Sequence, residues 1–187
     1  MAERLSPLAW FAPVSSDGLR VAEVPFLTQI DVRVDPASRA ASAIGLALGA
    51  PLPTEPGTYA TGDAGDVLWM GPDEWLVIAP PGRDGLEARL AEAAAGVEDA
   101  HVAITDVSAQ RTTLIVDGPR SRDLLAHGCP IDLHPRVFGP GSCAQTTLAR
   151  AGVVLAAREG DEFLLLVRSS FAGYLAEWLL DAAAEYL

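Results

Sequence analysis

The sequence predicts an α+β fold, mostly antiparallel sheets with helices packed on one face, in two similar strand-helix-hairpin-helix halves. Strand-sized and helix-sized apolar patterns alternate from about Val21 to the C-terminus. Tight turns, GPDE at 71–74 and EGDE at 159–162, join neighbouring strands directly, and a direct hairpin implies antiparallel pairing. The second half repeats the order of elements in the first as a pattern, with strands added and without a repeat of the residues themselves. Residues 1–20 read as an N-terminal extension, and 21–187 as one domain with lobes at about 21–107 and 108–187.

The elements follow in order. LTQIDVRVD (27–35) alternates apolar and polar positions as a half-buried strand does. Asp35 and Pro36 read as N-cap and first residue of a helix that stops at Gly49, before Pro51. PLPTEPGTYATGDAGD (51–66) reads as an irregular connection rich in Pro and Gly. VLWM and EWLVIA flank the turn at Pro72-Asp73. Asp84 is placed to cap a helix with Leu86 and Leu90 one turn apart and Gly96 as its stop. HVAITDVS and QRTTLIVD read as strands, and GPRSRDLLAHG as a short helix with Pro119 in its first turn and Gly128 at its end. CAQTTLA, GVVLAARE and EFLLLVR read as three further strands. The last helix, SSFAGYLAEWLLDAAAEYL, carries Phe171, Leu175, Trp178 and Ala182 on one face, with Ser169 or Ser170 as its cap.

Composition narrows the function classes. The chain has 187 residues, half of them hydrophobic, and a mean hydropathy of +0.24. No run approaches the roughly 20 apolar residues of a membrane span. The start, MAERLSPLAWFAPV, has no basic segment leading into a sustained apolar one, so a cytoplasmic protein is expected. An apolar excess without a span points to a buried partner interface. The net charge of −12 argues against nucleic acid or an anionic membrane as partner. All 13 basic residues are Arg. Lysine Schiff-base chemistry and a P-loop lysine are therefore excluded.

The stretch GCPIDLHPRVFGPGSCAQTTLA (128–149) holds both cysteines, Cys129 and Cys143, with His134 between them and His127 just before. Their spacing does not match compact zinc signatures. A disulfide is not expected in a reducing compartment. Cys129 follows a helix C-terminus, the wrong end to activate a thiol, and Cys143 reads as a small apolar residue entering a strand. Asp106, Ser108 and Arg111 lie near a strand junction, but no nucleophile elbow accompanies them. The carboxylate pairs Asp73/Glu74 and Asp161/Glu162 sit in turns. No catalytic, cofactor-binding or metal-ligating residue is assigned. Trp69 and Trp75, which flank one hairpin, and His134 and Arg136 are the candidate partner contacts.

In that order, LTQIDVRVDP, GDVLWMGPDEWLVIAP, the run from ITDVSAQ through CPIDLHPRVFGPGSCAQT to AGVVL, and FLLLVRSSFAGYLAEWLLDA resemble the gamma subunit of heterotetrameric sarcosine oxidase. The resemblance covers nearly the whole chain. That family is in turn similar to the folate-binding aminomethyltransferase fold of the glycine-cleavage T protein. It implies a non-catalytic subunit of a complex that oxidatively demethylates sarcosine to glycine, with hydrogen peroxide and formaldehyde or methylene-tetrahydrofolate as products. Alpha, beta and delta subunits are the implied partners. FAD, FMN, NAD, tetrahydrofolate and zinc are then expected on those partners and none on this chain. Where the T-protein pattern presents aspartates for folate chemistry, AGVVLAARE has Leu155 and Ala156. A free-standing folate-binding module without transferase chemistry is the alternative, and a cysteine/histidine metal protein a third idea.

Overall fold

The computed structural model describes residues 4–97 and 101–187; of the expected N-terminal extension, residues 1–3 lie outside them. The chain divides into two compact units, Phe26–Ser108 and Ala109–Leu187 together with the N-terminal segment through Pro25. That segment begins the second unit's sheet. It supplies β1 (Val14–Ser15) and β2 (Arg20–Val24), and Leu8, Phe11 and Leu19 are buried in that unit's core.

The unit Phe26–Ser108 runs β3 (Thr28–Val34), α1 (Arg39–Leu48), β4 (Tyr59–Gly62), β5 (Gly65–Gly71), β6 (Glu74–Ala79), α2 (Leu86–Ala95) and β7 (Val102–Asp106). Its sheet order is β4-β5-β6-β3-β7, with every pairing antiparallel. β3 and β5 therefore run parallel with β6 between them, the split β-α-β arrangement. Strand alternation sends Ile30, Val32, Val67, Trp75 and Val77 to one face, where they meet Ala40, Ala41, Ile44 and Leu48 of α1 and Leu86, Leu90 and Ala94 of α2.

The other unit runs β8 (Arg111–Asp117), α3 (Ser121–Ala126), β9 (Cys143–Leu148), β10 (Ala151–Ala157), β11 (Phe163–Arg168) and α4 (Ala172–Ala183). Its order is β1-β2-β8-β11-β10-β9, again wholly antiparallel. Register lines up Val21, Val116, Phe163 and Ala157 in one row and Leu114, Leu165 and Leu155 in the next. Both rows pack beneath Leu124, Leu125, Ala172, Leu175, Ala176 and Leu179 of the two helices. Apart from β1, the sheets correspond strand for strand. β2 occupies the place that β7 holds in the first unit, so the same plan is closed by a strand from the far end of the chain.

The α+β architecture of two antiparallel sheets with one-sided helices is thus as the sequence indicates, and several local assignments move. Ser38, not Asp35, caps α1: its Oγ accepts from the Ala41 N–H at 3.1 Å. Asp35 shapes the preceding turn, its Oδ1 accepting from the Ala37 N–H. The segment 51–66, read as irregular, contains β4 and the start of β5. Gly85, not Asp84, sits at the start of α2, and no side chain caps it. The last helix begins later than Ser169 or Ser170. A 3-10 turn spans Ser169–Phe171, and Ser169 Oγ donates to the carbonyls of Ala109 and Gln110. Its buried stripe is Ala172, Leu175, Ala176, Leu179 and Ala183. Phe171, placed on that face by spacing, is 45% exposed. Alanines let the helix lie close to the sheet, so small residues rather than the largest ones define the inward face.

Gly65 carries a geometric demand in the β4–β5 turn. Its φ is 145°, and a Cβ there would lie 2.1 Å from the Ile78 carbonyl oxygen. Gly82, at φ 81°, has nothing within 4 Å of its would-be Cβ. Gly65→Ala is expected to lower stability by at least about 2 kcal/mol and Gly82→Ala by only about 1 kcal/mol. Urea unfolding of both variants checks the difference; equal losses would refute the steric account.

Candidate functional site

The connection from α3 to β9 gathers the residues that the sequence singles out. α3 ends at a C-cap on His127. The Ala149 N–H donates to the Gly128 carbonyl at 3.0 Å, holding the loop entry against the far end of β9. Leu133 and Phe138 anchor the loop in the core, and Phe138 stacks on Phe163 with ring centroids 6.4 Å apart.

Arg122 on α3 organises the span between these anchors. Its Nη1 donates to the carbonyls of Leu133, at 2.5 Å, and Phe138, at 2.9 Å. Its Nε meets Asp161 Oδ1 at 3.0 Å in the β10–β11 turn. The guanidinium carbon lies 4.8 Å from the centre of the Phe163 ring. One planar cation thus satisfies two loop carbonyls and a turn carboxylate while covering an aromatic face, a set that an ammonium point charge cannot reproduce.

The inner side of the loop is fixed and the outer side is presented. Asp132 Oδ1 accepts from the His134 N–H at 2.8 Å, and the N–H groups of Val137 and Phe138 donate to the His134 carbonyl. The Arg136 N–H donates to His134 Nδ1 at 3.2 Å, which leaves the ring proton on Nε2. His134, Arg136 and Val137 are exposed, Val137 at 63%.

The Cys/His set does not converge. Cys143 is buried where β9 begins, Cys129 packs against the core from its margin, and neither is in a disulfide. His127 Nε2 lies 2.9 Å from the Tyr186 hydroxyl. Among the described residues no group of three or more His, Cys, Asp or Glu is placed to hold a metal ion. Asp106 and Ser108 build a turn: Asp106 Oδ1 accepts from the Ser108 N–H, and Ser108 Oγ accepts from the Gln29 N–H. Of the candidate contacts, Trp75 requires correction. It is wholly buried in the helix-side core of its sheet and donates its Nε1 proton to the Pro53 carbonyl at 2.8 Å, so no partner reaches it. Trp69, directly opposite in register, is half-buried.

Glu23 is a residue that the sequence reading does not single out. Its Oε1 accepts from Ser6 Oγ and from Thr112 Oγ1, the latter at 2.6 Å, tying the N-terminal segment to the sheet. The only trace in the sequence is a carboxylate at an inward position of a short strand. On β10, Leu155 is buried in the helix-side core and Ala156 is buried on the opposite face. Neither side chain accepts a proton.

Arg122→Ala is expected to lower stability by roughly 2–3 kcal/mol, because loop carbonyls lose charge-assisted partners. Cleavage within 129–142 by a protease should accelerate, and Arg122→Lys should restore less than half of the loss. Unchanged loop protection in Arg122→Ala would contradict the clamp.

Comparison with known proteins agrees with this arrangement. The sequence profile of the "Sarcosine oxidase, gamma subunit family" matches residues 31–185. The sarcosine oxidase subunit gamma of Corynebacterium sp. (strain P-1) is 36% identical, over 98% of this chain and 91% of that protein. The subunit gamma of an Arthrobacter species is 41% identical, over 88% of this chain and 79% of that protein. A chain of the heterotetrameric sarcosine oxidase from Corynebacterium sp. U-96 superposes with a TM-score of 0.88 at 36% identity, covering 98% of this chain and 96% of that one. Aminomethyltransferase T of the Bartonella henselae glycine cleavage system superposes at a TM-score of 0.66 with 15% identity, over 93% of this chain and 56% of that one, a likeness of fold alone. The chain belongs to the sarcosine oxidase gamma subunit family.

Proposed function

We propose that this chain is the gamma subunit of a heterotetrameric sarcosine oxidase and that it serves the complex as a scaffold, supplying no catalytic group. The observation that carries the reading is the match over 98% of this chain in sequence to a sarcosine oxidase gamma subunit and in fold to a chain of a heterotetrameric sarcosine oxidase. The chemistry of the chain supports the scaffold role: the thiols and imidazoles are dispersed, and the strand position of the transferase carboxylates holds Leu155 and Ala156. Alpha, beta and delta subunits are its partners. They carry FAD, FMN, NAD, tetrahydrofolate and zinc and oxidise sarcosine to glycine, with peroxide and formaldehyde or methylene-tetrahydrofolate as products. No helix among the described residues is long and apolar enough to cross a membrane. Two cysteines outside any disulfide accord with assembly in the cytoplasm. His134, Arg136 and Trp69 remain partner contacts in this reading; the loop around His134 presents exposed side chains on a path stiffened by Pro130, Pro135 and Pro140.

Purification through a tag on this chain should bring down flavin-containing larger subunits with sarcosine-dependent peroxide formation. A chain that emerges alone and binds tetrahydrofolate would sink the proposal. In the assembled complex, Cys129→Ser and Cys143→Ser should change turnover less than about threefold, since a remote side chain leaves the reacting atoms untouched. Cys143→Ser should still lower stability by about 1–2 kcal/mol, because it puts a hydroxyl in a buried strand position. A thousand-fold loss of turnover with assembly intact would make either thiol catalytic.

A further inference from the structure

The two units share one plan, yet their connections from first helix to next strand differ. In Phe26–Ser108, residues 49–58 join α1 to β4. That connection closes on its own core: Leu52 is buried there, and the Trp75 indole donates to the Pro53 carbonyl. In the other unit, residues 127–142 join α3 to β9. This longer connection is anchored by buried Leu133 and Phe138. Between those anchors His134, Pro135, Arg136 and Val137 are exposed in an unbroken run. Val137, at 63%, is among the most exposed large apolar side chains of the described residues. A long connection without secondary structure inside a compact unit points to function.

The run is held in place by bonds. The N–H groups of Val137 and Phe138 donate to the His134 carbonyl at 2.8 and 2.9 Å, closing a tight turn. Arg122 holds the carbonyls of both anchors. An inward collapse of Val137 would break this turn, so the valine stays outside. The carboxylates nearby in the chain and in the adjoining turn are engaged: Asp132 accepts from the His134 N–H, and Asp161 meets Arg122. Arg136 makes no ion pair among the described residues. His134 Nδ1 is occupied by the Arg136 N–H, so Nε2 remains as a donor. The turn thus offers a guanidinium, an imidazole N–H and an apolar side chain on a chain whose net charge is −12. A free small anion would use Arg136 and leave Val137 in water. A nucleic acid would be repelled by the rest of the chain, and a basic surface by the turn itself. A carboxylate set beside an apolar wall satisfies all three groups.

We propose that the turn His134–Val137 docks into an acidic site on another subunit of the oxidase. A carboxylate there pairs with Arg136, an acceptor takes the His134 Nε2 proton, and an apolar wall covers Val137. The assignment rests on the reading of the chain as a gamma subunit. It gives the Arg122 clamp a part in recognition, because a backbone ordered before contact leaves only side chains to be ordered on binding. Arg136 also offsets the repulsion that an acidic chain meets at an acidic surface.

The test uses the full chain and its assembly with partner subunits, read as the dissociation constant at low and high salt and as subunits recovered per tagged chain. Arg136→Glu should weaken association roughly ten- to hundred-fold at low salt and flatten the salt dependence. Val137→Ser, which changes no charge, should weaken it about three- to tenfold at either salt. Arg39→Glu, the same charge change at an exposed position on α1, should stay within about twofold. Each variant's unfolding midpoint separates misfolding from lost contact. Arg136→Ala serves if the reversal shifts that midpoint, with an expected loss of about five- to tenfold. Wild-type affinity in both Arg136→Glu and Val137→Ser overturns the proposal while leaving the gamma reading intact. So does tighter association of Arg136→Glu, which makes the facing surface basic, and so does an equal loss in Arg39→Glu, which reduces the effect to net charge. Arg136-dependent dimers of the chain alone in sedimentation equilibrium, with assembly unchanged, assign the turn to a second copy and also overturn it. A wild-type chain that recovers no flavoprotein partner overturns both readings.

Discussion

The Arg122 guanidinium is the constraint on which the most distinctive stretch of this protein depends. A long connection between a short helix and an outer strand has no ladder to satisfy its backbone, and buried carbonyls without donors are costly. Arg122 brings donors to the Leu133 and Phe138 carbonyls and ties them to Asp161 in a different turn. The Phe163 ring beneath the guanidinium belongs to β11, the strand at the centre of the sheet. The position of a surface loop is therefore referred to the rigid middle of the unit. Exposed side chains carried by such a loop, His134 and Arg136 among them, sit on a backbone that is already ordered before any binding.

The same economy appears in the two sheets. Each unit places helices on one face of an antiparallel sheet of matching strand order, and they differ in where the strand beside β3 or β8 comes from. In Phe26–Ser108 it is β7, reached through α2. In the other unit it is β2, from the N-terminal segment, so the Glu23 bonds to Ser6 and Thr112 do the closing that a covalent connection does in the first. Hydrogen bonds near a strand end thereby bring the N-terminal residues Leu8 and Phe11 into the core. An N-terminal segment that looks like an extension is a structural part of the unit.

Much of this was legible in the sequence because hydrophobic period and turn chemistry are local signals. Every strand read from Leu27 to Arg168 is present, and the hairpin at Pro72-Asp73 and the stop at Gly49 fall where the residues indicate. The assignments that moved are those in which two local signals compete. Asp35 and Ser38 are both good caps, and the one whose side chain reaches the N–H three residues on prevails. β4 lacks apolar alternation because it lies at the sheet's edge with both faces partly open. Trp75 shows the limit of residue type: tryptophan suits an interface, but this one finds its polar partner in Pro53 and closes into the core.

The sheet plan is loosely tied to the residues that fill it. The likeness in fold to aminomethyltransferase T, at 15% identity and a TM-score of 0.66, means that the plan tolerates extensive replacement of side chains. A carboxylate on β10 would have to be solvated or paired inside that apolar layer. Leu155 removes the requirement by joining the row of Leu114 and Leu165. A leucine at that position thus adds to the core, which accords with the scaffold role proposed for the chain, in which surface shape rather than a catalytic group decides where it binds.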